Sequence, residues 1–153
     1  MDKLVNYYFI RHGKTEYNLI GRVQGRNDST LLDEGVKDAK CAGLGLKGIK
    51  FDRAFAGSAK RQYETLRLAL KYSNNDIPYE ISDAFSEMSY GDYEDGLCKT
   101  MLDNAGKLLN TNVDDYKSED NVVTIYEISD AIARTGHNVE TMKEVAFRAL
   151  TKM

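Results

Sequence analysis

The chain has 153 residues, enough to bury one hydrophobic core but too few for two ordinary ones, so the sequence predicts a single domain. Charged residues make up 29% of it and proline occurs once, a composition typical of a chain that folds throughout. The formal net charge of −3 argues against sequence-independent nucleic-acid binding, which needs a basic surface to displace counterions from phosphates.

Strands and helices are predicted to alternate along the first half of the chain. Short apolar runs predict strands at residues 4–10, 51–56 and 77–82. Helical spacing of apolar residues predicts helices at 33–46 and 60–72 between them. This βα alternation predicts a three-layer α/β domain with a largely parallel sheet, in which residues 4–10 form an interior strand.

The second half of the chain is predicted to be mainly helical. Helices are expected at residues 97–109, 125–134 and 138–153, and a polar loop at 110–121. No strand is predicted after the last helix, and the sequence contains no internal repeat.

The apolar and cysteine patterns favour a cytoplasmic protein. The run at residues 4–10 is too short for a membrane span or a signal segment, and Asn6 interrupts it. Cys41 and Cys98 have neither a neighbouring cysteine nor a nearby pair of histidines. We therefore expect no membrane partner, no disulfide framework and no zinc site.

The most informative motif follows the first predicted strand and reads Arg-His-Gly-Lys-Thr-Glu-Tyr-Asn, residues 11–18. Ligands of α/β proteins bind at such strand ends. The guanidinium group of Arg11 can hold a phosphate through two parallel N–H bonds, and the imidazole of His12 can attack the phosphorus atom. A structural histidine is the alternative interpretation of His12. Five matched positions in R-H-G-x-T-x-x-N would arise by chance in roughly one chain in ten thousand of this length.

The residues after His12 fit the same phosphate. Gly13 lacks a Cβ that would keep the backbone away from the anion. Thr15 is a suitable N-cap, whose following amides would point at the phosphate, and Asn18 lies one turn further on.

With these residues, the sequence resembles the histidine phosphatase superfamily, the phosphoglycerate mutase-like family, whose signature is an Arg-His-Gly motif at the end of the first strand. Residues 21–28, Gly-Arg-Val-Gln-Gly-Arg-Asn-Asp, resemble the family's G-R-x-Q-G-x-x-D. The resemblance implies that Arg22, Gln24 and Gly25 bind the substrate.

Two later segments extend the resemblance. Residues 58–65 resemble the segment in which an R-x-x-x-T pair opens a helix under the phosphate, which implies that Arg61 is the second phosphate-binding arginine. Residues 85–94 resemble the family's L-x-E followed by G-x-W-E-G, which implies that Glu87 is the general acid. Taken alone, both segments would be interpreted as solvated surface. The like charges that surround Glu87 in the sequence favour a protonated carboxyl group, which a proton donor requires.

The resemblance implies a two-step phosphoryl transfer that needs no metal and no organic cofactor. His12 takes the phosphoryl group from a small phosphate ester while Glu87 protonates the departing alcohol, and water activated by Glu87 then releases phosphate. Arg11 and Arg61 hold the transferring oxygens. The predicted function is therefore a phosphomonoesterase acting on a small phosphorylated metabolite.

Two alternatives stay open. A phosphoglycerate mutase would use the same chemistry, but Thr15 and Tyr17 stand where the cofactor-dependent mutases usually have Ser and Trp. A non-catalytic phosphate-binding protein is suggested because the family's second histidine, which normally precedes Gly at the end of a later strand, is not found. The other histidine, His137, lies among turn-like residues. We expect residues 1–153 to be a histidine phosphatase domain that is C-terminally truncated relative to the family.

Overall fold

The computed structural model describes residues 4–111 and 124–152, and it is an α/β structure in that part of the chain. Its helices are α1 (Glu16–Ile20), α2 (Asp33–Gly45), α3 (Lys60–Ser73), α4 (Cys98–Leu109), α5 (Ile125–Thr135) and α6 (Met142–Lys152). Its strands are β1 (Ala54–Ala56) and β2 (Tyr79–Ile81), and single 3-10 turns lie at Asp83–Phe85 and Gly91–Tyr93. The loop predicted at 110–121 lies, from residue 112 onward, outside the described residues.

Four of the predicted helices are confirmed to within one residue at each end, namely α2, α3, α4 and α5. The last helix begins later than predicted, at Met142. The amide and hydroxyl of Thr141 donate to the Glu144 carboxylate, and the Glu144 amide donates back to the Thr141 hydroxyl. This Thr-x-x-Glu capping box satisfies the free N–H groups of the first turn, and it sets the start of α6.

The two strands confirm a parallel βαβ unit. β1 and β2 pair in parallel, with Ala54 opposite Tyr79 and Ala56 opposite Ile81, and α3 connects them. Each strand has three residues, so both are shorter than the apolar runs that predicted them.

The predicted interior strand at residues 4–10 is wrong. The segment is not in a strand, and Phe9 is 83% exposed. Tyr7 stacks on Phe9 at a centroid distance of 6.2 Å, and Tyr8 meets Phe51 edge-on at 5.4 Å. An apolar run indicates only that burial of its side chains would be favourable. A strand also needs a neighbouring strand that pairs with its backbone N–H and C=O groups. No described segment pairs with this one.

The main core lies between α4 and α5. Its buried side chains are Val23, Met101, Ala105, Ile128, Ala131 and Ile132. A second helix pair, α2 and α3, packs so closely that a Cβ on Gly43 would lie 2.6 Å from the carbonyl oxygen of Ala69. No helix in the described part of the chain is long and apolar enough to span a bilayer.

Candidate active site

The loop that carries His12 is joined to α3 by one hydroxyl group. The amide of Gly13 donates to Oγ1 of Thr65 at 3.0 Å, and the same hydroxyl donates to the carbonyl oxygen of Arg61 at 2.7 Å. Thr65 is buried and ends the R-x-x-x-T motif. Its hydroxyl therefore fixes the His12 loop against the helix turn that carries Arg61.

Gly13 allows two backbone segments to cross. A Cβ on Gly13 would lie 2.3 Å from the carbonyl oxygen of Gly35, and a Cβ on Gly35 would lie 2.3 Å from that of Lys14. The sequence attributed Gly13 to the close approach of a phosphate. In the structure, the close approach that excludes a side chain here is made by the start of α2.

His12 is half-buried and has a defined tautomer. Its Nδ1 lies 2.8 Å from the carbonyl oxygen of Gly13. Because a carbonyl can only accept, Nδ1 carries the proton and Nε2 keeps its lone pair. Burial lowers the pKa of His12 below its ordinary value, the Gly13 bond opposes this, and the charges of Arg61 and Arg11 lower it further. The imidazole is therefore neutral at neutral pH, as a nucleophile requires.

Three charged side chains lie close enough to His12 to act on its charge. Arg61 and Arg11 lower its pKa, and Glu87 raises it. Arg11 is exposed and makes no hydrogen bond or ion pair with another described residue, so its N–H groups are available to a ligand. Glu87 is half-buried, and its Oε1 accepts from the amide of Met88 at 2.9 Å. The structure thus brings together four side chains from three separate segments of the chain.

Arg61 is fully buried, and most of its guanidinium group holds the loop at residues 24–28. Nη1 donates to the Asn27 carbonyl at 2.8 Å and to Oδ1 of Asp28 at 3.1 Å, and Nη2 donates to the Gly25 carbonyl at 2.8 Å. Nε is buried without a hydrogen-bond partner among the described residues. Since Arg61 is 0% exposed, it acts on the surroundings of His12 through its positive charge, which lowers the pKa of the imidazole.

Thr15, Asn18 and Gln24 mainly bind one another. Thr15 is confirmed as the N-cap of α1: its hydroxyl accepts from the Asn18 amide at 3.3 Å, and Oδ1 of Asn18 accepts from the Thr15 amide at 3.1 Å. The buried Thr15 hydroxyl also donates to Oε1 of Gln24 at 2.8 Å, and Nε2 of Gln24 donates to Ser29 at 2.9 Å. These contacts give the three residues a structural role beside His12.

Arg22 and Gly25 connect the same loop to the segment after Glu87. Nη1 of Arg22 donates to the carbonyl oxygen of Asp95. A Cβ on Gly25 would lie 2.2 Å from the carbonyl oxygen of Met88, so only glycine fits there. The close contact here is again with backbone.

Glu94 is a residue whose role the sequence did not indicate. Its carboxylate accepts from four backbone amides, those of Gly25 at 3.1 Å, Arg26 at 2.9 Å, Asn27 at 3.2 Å and Tyr90 at 3.0 Å. The resemblance matched Glu94 to the acidic position of the family's G-x-W-E-G, and the charge pattern placed it among the acidic residues around Glu87. In the structure it binds amides of the loop at 24–28, whose carbonyls are bound by Arg61, and this nest of N–H groups suits an anion.

Tyr90 adds a phenol group beside the charged cluster. Burial, and after it the negative charge of Glu87, raises the pKa of Tyr90 to about 12. The phenol therefore stays protonated at neutral pH, close to Glu87 and Arg11.

His137 is exposed and follows α5 in a turn. Its carbonyl oxygen accepts from the amide of Asp92 at 3.1 Å, and its side chain is not among the groups that act on the pKa of His12. Within the described residues, no cluster of three or more His, Cys, Asp or Glu side chains could hold a metal ion.

Residues 7–149 match the model of the histidine phosphatase superfamily (branch 1). The chain is 37% identical over 95 residues to a 2,3-bisphosphoglycerate-dependent phosphoglycerate mutase of Beijerinckia indica, covering 60% of this chain and 45% of that protein. It is 33% identical over 87 residues to an adenosylcobalamin/alpha-ribazole phosphatase of Salmonella typhimurium, covering 57% of this chain and 42% of that protein.

A crystal structure of a phosphoglycerate mutase from Bacillus anthracis is similar over 92% of this chain and 62% of that one, with a TM-score of 0.80 and 30% identity. The matches to these two curated relatives span less than half of each relative's length. Since the family model covers almost the whole sequence and the fold agrees with it, this chain belongs to the histidine phosphatase superfamily.

Proposed function

We propose that the protein is a phosphomonoesterase that transfers the phosphoryl group of a small phosphorylated metabolite to Nε2 of His12 and then to water. The observation that carries the proposal is the neutral imidazole of His12. Its Nδ1 is bonded to the Gly13 carbonyl, and it lies among the charges of Arg11, Arg61 and Glu87. Membership of the superfamily supports the same chemistry.

In the first step, the lone pair of Nε2 attacks phosphorus, and the bond from phosphorus to the ester oxygen breaks. The protonated carboxyl group of Glu87 gives its proton to the departing alkoxide. Arg11 binds phosphoryl oxygens with its exposed N–H groups, and the buried Arg61 contributes its positive charge. In the second step, the Glu87 carboxylate takes a proton from water as the water oxygen attacks phosphorus and the N–P bond breaks. Two guanidinium groups neutralise the phosphoryl charge, so no metal is required.

Detecting a phosphoenzyme tests this proposal. After incubation with 2,4-dinitrophenyl phosphate, rapid quenching and mass spectrometry should locate a phosphoryl group on His12. His12→Ala should abolish it, and the exposed His137→Ala should leave it unchanged. A phosphoenzyme that persists in His12→Ala would overturn the assignment. Tight phosphate binding with neither phosphoenzyme nor phosphate release would indicate a non-catalytic binding protein.

Phosphoglycerate mutase is the second candidate, because several relatives carry that name, among them the one from Beijerinckia indica. Both activities would begin at His12, and they differ in whether water or a phosphoglycerate accepts the phosphoryl group. Measuring phosphate release beside the interconversion of 2-phosphoglycerate and 3-phosphoglycerate distinguishes them. We expect phosphate release to dominate. The family's second histidine is not found in this sequence. We therefore also expect slow turnover from residues 1–153, since one preorganised donor at the phosphoryl group is typically worth roughly 100-fold to 1000-fold in rate.

The lowered pKa of His12 predicts a particular pH dependence. Protonated imidazole has no free lone pair, so the acid limb of kcat/KM should rise with pH through the folded-state pKa of His12, which lies below the usual 6.5. Between that pKa and 6.5 the unfolded chain binds more protons, so the free energy of unfolding should fall as pH falls through this window. His12→Asn should remove this part of the pH dependence in urea titrations, and His137→Asn should not. An acid limb of kcat/KM centred above 6.5 would contradict the prediction.

A further inference from the structure

Arg148 of α6 holds the turn that carries Glu87. Its side chain is 17% exposed. Nη1 donates to the carbonyl oxygens of Ala84 at 2.8 Å and Asp83 at 3.1 Å, and Nη2 donates to that of Glu87 itself at 3.2 Å. A guanidinium group from a helix more than 60 positions later in the chain therefore bonds three carbonyls of one short turn.

Glu140 orients the guanidinium group of Arg148 by accepting two of its hydrogen bonds. Nε of Arg148 donates to its Oε1 at 2.6 Å, and Nη2 donates to its Oε2 at 3.0 Å. Oε2 also accepts from the Ser89 amide at 3.0 Å and lies 3.5 Å from Nη2 of Arg26. Burial acts to raise the pKa of Glu140, but the bonds from Arg148 and Ser89 hold it below its ordinary value. The pair is therefore ionised at neutral pH, and such charge-assisted bonds are among the strong ones.

The position of the Glu87 carboxyl group relative to His12 depends on this turn. The hydrogen bond of that group within the described residues is local, from the amide of the next residue, Met88. Local bonding sets the rotamer relative to the backbone but does not set where the backbone lies relative to His12. The backbone is fixed at the carbonyls of residues 83, 84 and 87 and at the amide of residue 89, by Arg148 and Glu140.

We propose that Arg148, oriented by Glu140, is the positioning residue for Glu87 and so determines how effectively Glu87 protonates the leaving group. This inference rests on the proposed function of Glu87 as general acid. All the hydrogen bonds that the Arg148 guanidinium makes with described residues go to this turn or to Glu140. Misplacing a catalytic group by about 1 Å is enough to lower a rate substantially, so a support of this kind affects the chemistry directly.

The test is the dependence of rate on the leaving group. Phenolate needs a proton as it departs from phenyl phosphate, whereas 2,4-dinitrophenolate departs without one. Arg148→Lys keeps the charge and loses the planar fork. It should lower kcat/KM for phenyl phosphate by about 10-fold to 100-fold and for 2,4-dinitrophenyl phosphate by less than about 3-fold. In a Glu87→Gln background the same change should have no further effect on phenyl phosphate.

The matched control is Arg134→Lys. This arginine lies on α5, where it is exposed and pairs with Asp130 at 3.8 Å, and its replacement should change neither rate. Equal losses on both substrates in Arg148→Lys, or a further loss in the Glu87→Gln background, would show that Arg148 only anchors α6. Either result would overturn the proposal.

A second measurement keeps the inference separate from the proposed function. The Met88 amide is bonded to Oε1 of Glu87, so its hydrogen exchange reports directly on the position of that carboxyl group. Arg148→Lys should accelerate this exchange by about 10-fold or more and leave that of Ala105 in α4 unchanged. If the chain releases no phosphate but the Met88 exchange responds, the proposed function fails and the positioning role stands. If the Met88 exchange does not respond, the positioning role fails whatever the activity.

Discussion

Residues 4–10 and the loop at 22–29 contrast in composition and in burial: the apolar segment is exposed, and the polar loop is partly buried. The first segment is apolar, yet Phe9 is 83% exposed and no described strand pairs with it. The second is mostly polar, yet residues 23–25 are buried, Arg61 binds carbonyls of the loop and Glu94 binds its amides. Around this site, a segment is held in place where its backbone N–H and C=O groups have hydrogen-bond partners. Apolar side chains alone do not hold a segment in place.

The largest effect is expected when the buried guanidinium group is removed. Arg61→Ala leaves the carbonyls of Gly25 and Asn27 and the carboxylate of Asp28 without their donor. We expect the free energy of unfolding to fall by about 3–5 kcal/mol. Urea denaturation measures it, with Lys60→Ala as control. Its side chain is exposed and, among the described residues, pairs with Glu64 at 3.7 Å, while its amide, which the change keeps, donates to Asp28. The loss should therefore be below about 0.5 kcal/mol. Equal values for the two variants would contradict the role given to Arg61.

Glu94→Gln tests the hydrogen bonds to the amides of the loop at 24–28. The change keeps the shape of the side chain but removes the charge that faces four backbone amides. The free energy of unfolding should fall by about 2–3 kcal/mol, because bonds to a charged group exceed neutral ones. Asp92→Asn, an exposed change in the same segment, should stay within about 0.5 kcal/mol. A Glu94→Gln variant as stable as Asp92→Asn would mean that the amides are satisfied in another way.

Two glycine variants should change stability in opposite directions. Gly13→Ala places a Cβ 2.3 Å from the Gly35 carbonyl oxygen and should cost about 1–3 kcal/mol, because backbone has to move. Gly45→Ala, at the end of α2, meets no atom within 4 Å and should stabilise by up to about 1 kcal/mol. Thermal melting of both variants measures the difference. A stabilised Gly13→Ala would show that the two loops do not cross as described.

The smallest effect is expected in the apolar segment. Phe9→Ser removes a large side chain that is mostly exposed, so the free energy of unfolding should change by less than about 0.5 kcal/mol. Urea denaturation again gives the value. A loss of about 2 kcal/mol or more would mean that Phe9 is covered in solution.

Sequence reasoning predicted the elements that depend on local pattern. The apolar stripe of α3 and the N-cap at Thr15 are properties of neighbouring residues, and both agree with the structure. The Arg-His-Gly motif pointed to His12 because its residue types and spacing are rare together. The tautomer and lowered pKa of His12, however, depend on the three-dimensional contacts around it.

The features that the sequence did not predict depend on distant partners. Glu94 bonds amides that lie 67 to 69 positions earlier, and Arg148 bonds carbonyls that lie 61 to 65 positions earlier. Nothing in the local pattern of either segment indicates such a partner. The same reason explains the error at residues 4–10, since an apolar run predicts a strand without showing what it pairs with.

The large sequence separation between Glu94 and the amides that it binds also affects the order of events in folding. Its hydrogen bonds close a large loop of chain, and the entropy of closing that loop has to be overcome before the bonds contribute. A nascent chain of 90 residues already contains His12, Arg61 and Glu87 but lacks the carboxylate that orders the loop between them. We therefore expect these contacts to form after the transition state, so that Glu94→Gln speeds unfolding and leaves the refolding rate nearly unchanged. On that order of events, the arrangement of the candidate site is among the last features that the folding chain acquires.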